Sequence, residues 1–389
     1  MVNWGKISVK MHMKWRGKLA VQSKAPLATK ADLSTAYTPG VAQPCLDIQN
    51  NPALAYNYTW KWNSVAVLSN GTRVLGLGNI GALAGLPVME GKAILFKKFA
   101  NIDAVPLCVD AGSVEEMVAI GKAIAPTFGG INLEDISVPE CFEIEDQLVK
   151  ALDIPVFHDD QHGTAIVTLA ALLNAFKATN RKMKNARIVC YGVGAAGSAI
   201  LKALHNAGAR NIVAFDSTAA LSTNRGDVKH SYKKGLLPLV TNFDGSFREA
   251  LEGADVVIGT TGKQNIIDRT MVAKMAENSI VIALTNPNPE IMPPEAYAGG
   301  AKIVCSGRSD FPNQTNNALV FPGVFRGALD SRAKKITAGM KLAAAHALAK
   351  LVSEKELKKN IVIPSPFDKR VVPAIARAVK HQARLENIT

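Results

Sequence analysis

The sequence has no apolar run long enough to cross a bilayer, although 48% of its 389 residues are hydrophobic. It begins without the charged-then-apolar pattern of a secretory signal. Its five cysteines are scattered, odd in number and without a Cys-x-x-Cys pair, which favours free thiols over a disulfide framework. These absences predict a cytoplasmic protein that contacts no membrane. The length predicts two domains with well-packed cores.

The chain also lacks a concentrated block of basic residues, although its formal net charge is +13. A charge of that size could indicate a nucleic-acid ligand. The densest basic region, residues 332–359, is interleaved with Ala and Leu, which is typical of a solvated helix face. We therefore expect no nucleic-acid partner, while a basic surface would attract small anionic substrates.

Two adjacent carboxylates, Asp159 and Asp160, follow a short apolar run at 154–157 that predicts a buried strand. Gly163 then opens a long apolar helix, which we expect to reach about Ala178. In open α/β sheets, ligands bind at the carboxyl ends of strands. The two carboxylates are therefore candidate site residues, with helix capping by one of them as the alternative.

A second acidic pair, Glu134 and Asp135, ends another predicted strand. Neighbouring strand residues face opposite sides of a sheet, so both can bind one metal only if the chain bends there. Together with Asp159 and Asp160, this pair predicts a hard divalent cation held by oxygen ligands.

Other polar residues of the first half adjoin turns and apolar runs. Tyr37 directly precedes a Thr-Pro-Gly turn, where a half-buried packing role is the alternative to an acid. Arg73 could grip a carboxylate with two guanidinium nitrogens or be a plain surface residue. The glycines of 76–81 predict close backbone packing near a site, and Pro87 should interrupt any long helix after them. Lys92 lies at the mouth of a buried apolar element.

A dinucleotide fingerprint lies in the second half. The strand predicted at 187–191 leads directly into Gly192, Gly194 and Gly197, and a helix follows. The three glycines allow a tight turn, close approach of a pyrophosphate and close packing of helix on strand. The phosphate charge is favoured at the amino end of the helix. The next strand, predicted at 211–215, ends at Asp216, which would accept hydrogen bonds from ribose hydroxyls.

The choice between NAD and NADP depends on the surroundings of Asp216. No Arg or Lys adjoins it directly, which favours NAD. Arg225 and Lys229 lie near enough in sequence to fold back towards a 2′-phosphate, so NADP stays open.

Three further apolar runs, at 255–259, 280–284 and 302–305, complete a doubly wound sheet. Polar or Gly-rich segments follow each run and are expected to line the nicotinamide and substrate crevice. Asn286 and Asn317 lie in such segments, where an ordinary turn-forming role is the alternative.

The predicted fold class is α/β, with a Rossmann-like doubly wound parallel sheet preceded by a smaller α/β domain for substrate and metal. We expect the first domain at residues 1–160 and the dinucleotide domain at 161–335. Residues 336–389 should form helices that pack back on the core.

Several motifs together resemble those of the malic enzymes of the short bacterial type, over nearly the whole chain. They are Ala36-Tyr-Thr-Pro-Gly-Val-Ala, Val74-Leu-Gly-Leu-Gly-Asn-Ile-Gly, Gly91-Lys, Ile131-Asn-Leu-Glu-Asp-Ile, Phe157-His-Asp-Asp-Gln-His-Gly-Thr-Ala, Leu284-Thr-Asn-Pro and Gly307-Arg-Ser-Asp-Phe-Pro-Asn-Gln. The resemblance implies oxidative decarboxylation of L-malate to pyruvate and CO2, with NAD or NADP and a Mg2+ or Mn2+ ion. It also suggests a homodimer.

The resemblance further implies a role for each matching residue. The implied catalytic residues are Lys92 as general base, Asp159 beside it and Tyr37 as general acid. The implied metal ligands are Glu134, Asp135 and Asp160, and the implied substrate contacts are Arg73, Asn286 and Asn317. The implied cofactor contacts are Gly192, Gly194, Ala195, Ala196, Gly197, Asp216 and Asn286.

Three alternative functions are compatible with parts of the pattern. A malolactic enzyme would use the same residues, keep its NAD bound and release L-lactate. A plain hydroxy- or amino-acid dehydrogenase would need no metal, so the carboxylate cluster opposes it. A catalytically silent NAD-binding or nucleic-acid-binding protein would not require the set of Lys92, Tyr37 and carboxylates.

Overall fold

The computed structural model describes residues 3–74 and 76–389, and it begins with an arm of helices that precedes the first strand. The arm helices are α1 (Trp4–Trp15), α2 (Lys30–Ala36), α3 (Ala42–Asn50) and α4 (Ala55–Tyr58). None of their residues is buried. The arm contacts the body at Lys18, whose ammonium donates to the carbonyl of Pro87.

A four-stranded sheet follows, with every strand parallel to its neighbours and the order β2-β1-β3-β4. Its strands are β1 (Ser64–Ser69), β2 (Asp103–Cys108), β3 (Gly130–Leu133) and β4 (Val156–His158). Its helices are α5 (Gly81–Ala100), α6 (Val114–Ile124) and α7 (Glu140–Ala151). The helical crossovers place all four carboxyl ends at one edge.

The expectation that Pro87 interrupts a long helix is wrong, because α5 is 20 residues long and contains Pro87 in its interior. Proline removes the hydrogen bond to the carbonyl four residues earlier. That carbonyl belongs to Leu83, which is 85% exposed, so water can hydrate it. Beyond the proline, Met89, Ala93 and Phe96 are buried in the core, and their burial stabilises the continuous helix.

Helix α8 (Asp159–Ala178) joins this sheet to a second one, and it begins earlier than the expected start at Gly163. The second sheet is also entirely parallel, with the order β6-β5-β7-β8-β9. Its strands are β5 (Arg187–Tyr191), β6 (Asn211–Phe215), β7 (Val256–Gly259), β8 (Ile280–Ala283) and β9 (Ile303–Ser306). Its helices are α9 (Ala195–Asn206), α10 (Ser231–Lys234), α11 (Phe247–Leu251), α12 (Arg269–Ala273) and α13 (Pro293–Ala298). This is a doubly wound sheet, as the sequence predicted.

The last helices pack on the core that the two sheets share. They are α14 (Phe321–Ser331), α15 (Ala338–Ala349), α16 (Glu354–Leu357) and α17 (Val371–Leu385). One apolar cluster includes Val65 of the first sheet, Ile188 of the second and Ile375 of α17. Within the described residues, no helix combines the length and apolarity needed to cross a membrane.

Candidate active site

A crevice of about 510 Å³ lies where the carboxyl ends of the two sheets meet, and its size is typical of small-molecule sites. The first sheet contributes acidic residues after β3 and β4, and the second contributes small and polar residues after β5, β7 and β8. The predicted site residues that line it are Arg73, Lys92, Glu134, Asp135, Asp160, Gly194, Ala195, Ala196, Asn286 and Asn317.

Glu134, Asp135 and Asp160 form a carboxylate cluster at the first-sheet side of the crevice. One oxygen from each lies within 4.8 Å of the others. Asp135 has a positive φ of 52°, so the chain bends directly after β3, as shared binding of one metal requires. The bend is held by the Asp135 N–H, which donates to Asp160 Oδ2 at 2.9 Å.

The chemistry of this cluster fits a hard divalent cation. Its donors are carboxylate oxygens, which Mg2+ and Mn2+ prefer. Burial raises the pKa of Glu134 well above its usual value, against the effect of Lys92, and Asp160 raises it further. Such crowding of anions is relieved when a cation neutralises them.

The alternative that Asp159 and Asp160 only cap α8 is not supported. They lie within the first turn of the helix, whose N-cap is His158, and no side-chain cap bond forms there. Asp160 accepts the Asp135 N–H, and Asp159 Oδ2 lies 2.6 Å from Lys92 Nζ.

Lys92 projects from α5 into the acidic cluster and is buried. Its Nζ lies 2.6 Å from Asp159 and 2.7 Å from Glu134 Oε1, and 4.3 Å from the ring centre of Phe321. Burial would lower the pKa of Lys92, but Asp159, Glu134 and Asp160 outweigh it and raise that pKa. Among the residues of the chain, the carboxylates therefore favour Lys92 as a cation, and a divalent ion bound by the same carboxylates would act against them.

The Asp159 carboxylate is held in a tight space. A side chain on Gly163 would collide with Asp159 Oδ1, so the glycine leaves room for this carboxylate one turn earlier on α8. That oxygen is buried and has no hydrogen-bond partner among the described residues. The other oxygen, Oδ2, lies 2.6 Å from the ammonium of Lys92, so Asp159 is placed to exchange a proton with it.

Arg73 and Asn286 lie where a substrate carboxylate could be bound. The guanidinium of Arg73 lies beside Gly262, where an added Cβ would be 3.7 Å from it. Asn286 is enclosed by Gly76 and Gly307, since a Cβ on either would lie within 3.1 Å of an Asn286 atom. The expectation of close packing around the glycines of 76–81 is confirmed at Gly76.

The dinucleotide loop lies opposite the carboxylate cluster. Gly192 has a φ of 105°, and Thr260 Oγ1 donates to its carbonyl at 2.9 Å. Gly197 leaves room for the same carbonyl. A Cβ built on Gly194 would meet no described atom within 4 Å, so this loop is open on the side from which a pyrophosphate would approach the amino end of α9.

Asp216 ends β6, as predicted, but its carboxylate is already engaged. Oδ1 accepts the N–H groups of Thr218 and Ala219 and an Arg225 nitrogen at 3.1 Å, and Oδ2 accepts Lys233 Nζ at 2.7 Å. Burial would raise the pKa of Asp216, but the hydrogen bonds from Lys233, the two N–H groups and Arg225 lower it well below its usual value.

Only part of the predicted cation pair is near Asp216. Arg225 folds back to Asp216, as the sequence allowed. Lys229 is exposed, and the second cation that pairs with Asp216 is Lys233. The sequence analysis missed Lys233, because its proximity depends on how the chain between β6 and α10 folds.

Glu290 is a second residue that the sequence analysis missed. It is 0% exposed and accepts the N–H groups of Thr261 at 2.8 Å and Thr285 at 3.2 Å, together with both threonine hydroxyls. It therefore joins the loops after β7 and β8, both of which line the crevice. The sequence signal for Glu290 was weak, because it shows only an acid directly after a proline-rich turn.

Tyr37 is the one predicted catalytic residue that lies outside this arrangement. It follows α2 on the arm, is 69% exposed and does not line the crevice of its own chain. The structure thus brings Lys92, Asp159 and the carboxylate cluster together but leaves the expected acid on the surface.

Comparisons with known proteins show which family the chain resembles over nearly its whole length. Two family models match, "Malic enzyme, N-terminal domain" over residues 16–149 and "Malic enzyme, NAD binding domain" over residues 161–384. The chain is 52% identical over 380 residues to a bifunctional malic/malolactic enzyme of Bacillus subtilis, covering 96% of this chain and 91% of that protein. It is 46% identical to an NADP-dependent malic enzyme of Escherichia coli, covering 94% of this chain and 50% of that protein.

Solved structures give the same result. The malic enzyme of Pyrococcus horikoshii superposes with a TM-score of 0.94 at 45% identity, covering 98% of this chain and 92% of that one. The NAD-dependent malic enzyme of Thermotoga maritima superposes with a TM-score of 0.92 at 43% identity, covering 96% and 98%.

Proposed function

The chain belongs to the malic enzyme family, and on that premise we propose that it oxidatively decarboxylates L-malate to pyruvate and CO2. NAD or NADP would be reduced, and a divalent metal would be required. One observation supports this most strongly: Lys92 contacts Asp159 and Glu134 beside a three-carboxylate cluster, across one crevice from a dinucleotide loop.

The residues of the chain divide the proposed reaction between them. A divalent ion held by Glu134, Asp135 and Asp160 would polarise the 2-hydroxyl of malate and lower its pKa. Lys92 first passes a proton to Asp159 over 2.6 Å, and the neutral amine then accepts the hydroxyl proton. A dinucleotide held at the Gly194 to Ala196 loop, which lines the same crevice, would supply the nicotinamide that takes the hydride from C2.

Arg73 binds a substrate carboxylate in the proposed complex, and Asn286 and Asn317 orient the substrate. Loss of the C4 carboxylate as CO2 leaves an enolate, whose C3 must then take a proton. Tyr37 is the proposed donor. Because Tyr37 does not line its own crevice, it can be this donor only if another copy of the chain supplies it.

We therefore propose a homodimer in which the arm of each subunit reaches the crevice of its partner. The arm exposes large apolar side chains, including Trp4, Met13 and Leu27, and burying such a surface drives association. The same contact would bring Tyr37, on the same arm, to the partner's enolate.

The cofactor proposal is NAD, with NADP also accepted. Relatives at 51% and 46% identity are named NAD-dependent and NADP-dependent, respectively. The contacts of Arg225 and Lys233 with Asp216 neutralise the carboxylate that would otherwise repel a 2′-phosphate. The cations support a weaker preference for NAD than the sequence around Asp216 suggested.

All five cysteines are free thiols, which supports a reducing cytoplasm as the compartment.

Malolactic activity is a second candidate, because one relative at 52% identity is named a bifunctional malic/malolactic enzyme. A single assay tests both functions: purified protein with L-malate, Mn2+ and NAD or NADP, with reduced dinucleotide, pyruvate and lactate measured together. Pyruvate formed in step with reduced dinucleotide, and lost with a chelator, is the expected result. Lactate without net reduction of the dinucleotide would indicate malolactic chemistry. If neither pyruvate nor lactate is formed, the proposed substrate is refuted.

A further inference from the structure

A second cavity of about 150 Å³ lies between α8, α9 and α15, on a different face of α8 from the crevice. One part of its lining is apolar, and the residues there include Ile166, Leu169 and Leu342. Its other part is polar, and the residues there are Gln161, His162, Lys202, Lys341 and Asn206. The proposed reaction uses none of these groups.

Glu145 of α7 lies beside the polar part, but its carboxylate is already occupied. It accepts the His158 N–H at 2.9 Å and Gln161 Nε2 at 3.0 Å, and His162 Nε2 lies 2.9 Å from it. Burial would raise the pKa of Glu145, but His162, Lys341 and His158 lower it to about 2. Of the described polar groups around this cavity, Glu145 is therefore the one carboxylate, and its oxygens are occupied by these donors.

Two lysines oppose that single charge. Lys341 is partly buried, and its ammonium forms neither a hydrogen bond nor an ion pair within 4.0 Å with any residue in the described part of the chain. Burial lowers the pKa of Lys341 to about 8, with Glu145 opposing and Lys202 adding to the shift. Lys202 is exposed at the mouth of the cavity. The group thus has one surplus positive charge next to an apolar space.

We propose that this cavity is a regulatory binding site for a small monocarboxylate with a short aliphatic chain. The carboxylate would pair with Lys341 and Lys202, and the chain would pack against Ile166, Leu169 and Leu342. One negative charge matches the surplus charge of the group. An apolar cavity of about 150 Å³ holds a ligand the size of benzene, so a four-carbon acid fits.

The site is connected to the proposed active site through Glu145. Its carboxylate holds the His158 N–H and Gln161, the residues on either side of Asp159 and Asp160. A ligand carboxylate that pairs with Lys341 would compete with Glu145 for the positive charge of Lys341. The turn from His158 to Gln161, which Glu145 holds, would then be altered. We therefore expect occupancy to change malate turnover while dinucleotide affinity stays constant.

The test is calorimetric titration of the full chain with sodium butyrate at constant ionic strength, with sodium chloride and sodium formate as comparison salts. Saturable butyrate binding is expected, with formate binding more weakly because it lacks the chain. Lys341→Gln should weaken butyrate binding about 30-fold or more, as expected when one member of a buried charge pair is removed. The matched control Lys350→Gln, at the exposed end of α15, should bind like the unaltered protein.

A second variant keeps the result decisive if Lys341→Gln does not fold. Leu169→Phe retains both lysines and fills the apolar part, so it should lose butyrate while formate binding persists. The proposal is overturned if the unaltered protein shows no saturable butyrate binding, or if Lys341→Gln binds it equally well. Equal binding of formate and butyrate would overturn the aliphatic part of the site. Because binding is measured directly, these results do not depend on malate activity.

Discussion

The two sheets of this protein share a topology and differ in the chemistry of their carboxyl ends. Both are wholly parallel, and in each the first strand lies between the second and the third. The first sheet ends in carboxylates, at Glu134 after β3 and Asp160 after β4. In the second, four of the five strands are followed by small or uncharged residues, such as Gly192 after β5 and Thr260 after β7, and β6 is followed by Asp216.

This difference shows how one architecture supports two kinds of binding. Clustered carboxylates repel one another and call for a cation, which suits Glu134, Asp135 and Asp160. A glycine loop at a helix amino end has exposed N–H donors and favours an anion such as a pyrophosphate. The fold aligns the two edges on one crevice, and the residues at the strand ends determine the chemistry.

Replacing Lys92 by Ala is the substitution from which we expect the largest effect. It should disable the chemistry at the carboxylate side of the crevice and leave the dinucleotide side intact. Malate turnover should fall by about a thousandfold, within the range for a lost general base, while dinucleotide affinity is unchanged. Steady-state turnover and fluorescence titration with reduced dinucleotide measure the two quantities. Lys98→Ala, exposed on the same helix, is the control. Normal turnover of Lys92→Ala would refute its assignment as base.

Replacing Asp160 by Asn tests whether the carboxylate cluster binds the metal. Removal of one charged ligand should raise the Mn2+ concentration needed for half-maximal activity by about 100-fold or more. Titrating activity with Mn2+ measures this change, and Asp146→Asn, which is exposed on α7, is the control. Metal dependence like that of the control would remove Asp160 from the site.

The strand ends themselves could be predicted from sequence, because apolar runs followed by acids or glycines are local signals. The predicted strands at 187–191 and 211–215 match β5 and β6 residue for residue. The bend at Asp135 could be stated only as a condition. Whether Asp135 adopts a left-handed conformation depends on the tertiary contact with Asp160, which no local pattern shows.

Residues that act through distant contacts were not predictable in this way. Lys233 reaches Asp216 only because the intervening chain folds back, and Glu290 joins two loops that are adjacent only in the folded sheet. Pro87 shows the opposite failure. A strong local signal for helix interruption is overridden by burial of the following turns against the core.

Mixing two inactive variants tests whether Tyr37 of one subunit acts in the crevice that contains Lys92 of the other. Tyr37→Phe should turn over malate about 100-fold more slowly, as expected for loss of a general acid. In mixed dimers with Lys92→Ala, one crevice has both Lys92 and the partner's Tyr37. Subunit exchange of equal amounts should then restore activity to about a quarter of all crevices.

The control for this mixture is Lys92→Ala combined with the double variant of Lys92 and Tyr37, which should restore nothing. Absence of recovery with the first mixture, although the subunits exchange, would argue that Tyr37 acts within its own chain or not as the acid. Exchange itself can be measured by mass spectrometry of differently tagged subunits.

The smallest expected effect concerns the dinucleotide side, where the comparison between the two sheets is least sharp. Asp216 gives this side a carboxylate too, but Arg225 and Lys233 neutralise it. Lys233→Gln removes one charge-assisted donor, so kcat/KM for NADP should fall about tenfold, while that for NAD changes little. Lys229→Gln, exposed nearby, is the control. Equal losses with both dinucleotides would mean that Lys233 only orients Asp216; a loss confined to NADP would mean that this edge binds anions through side-chain cations as well as through its glycine loop.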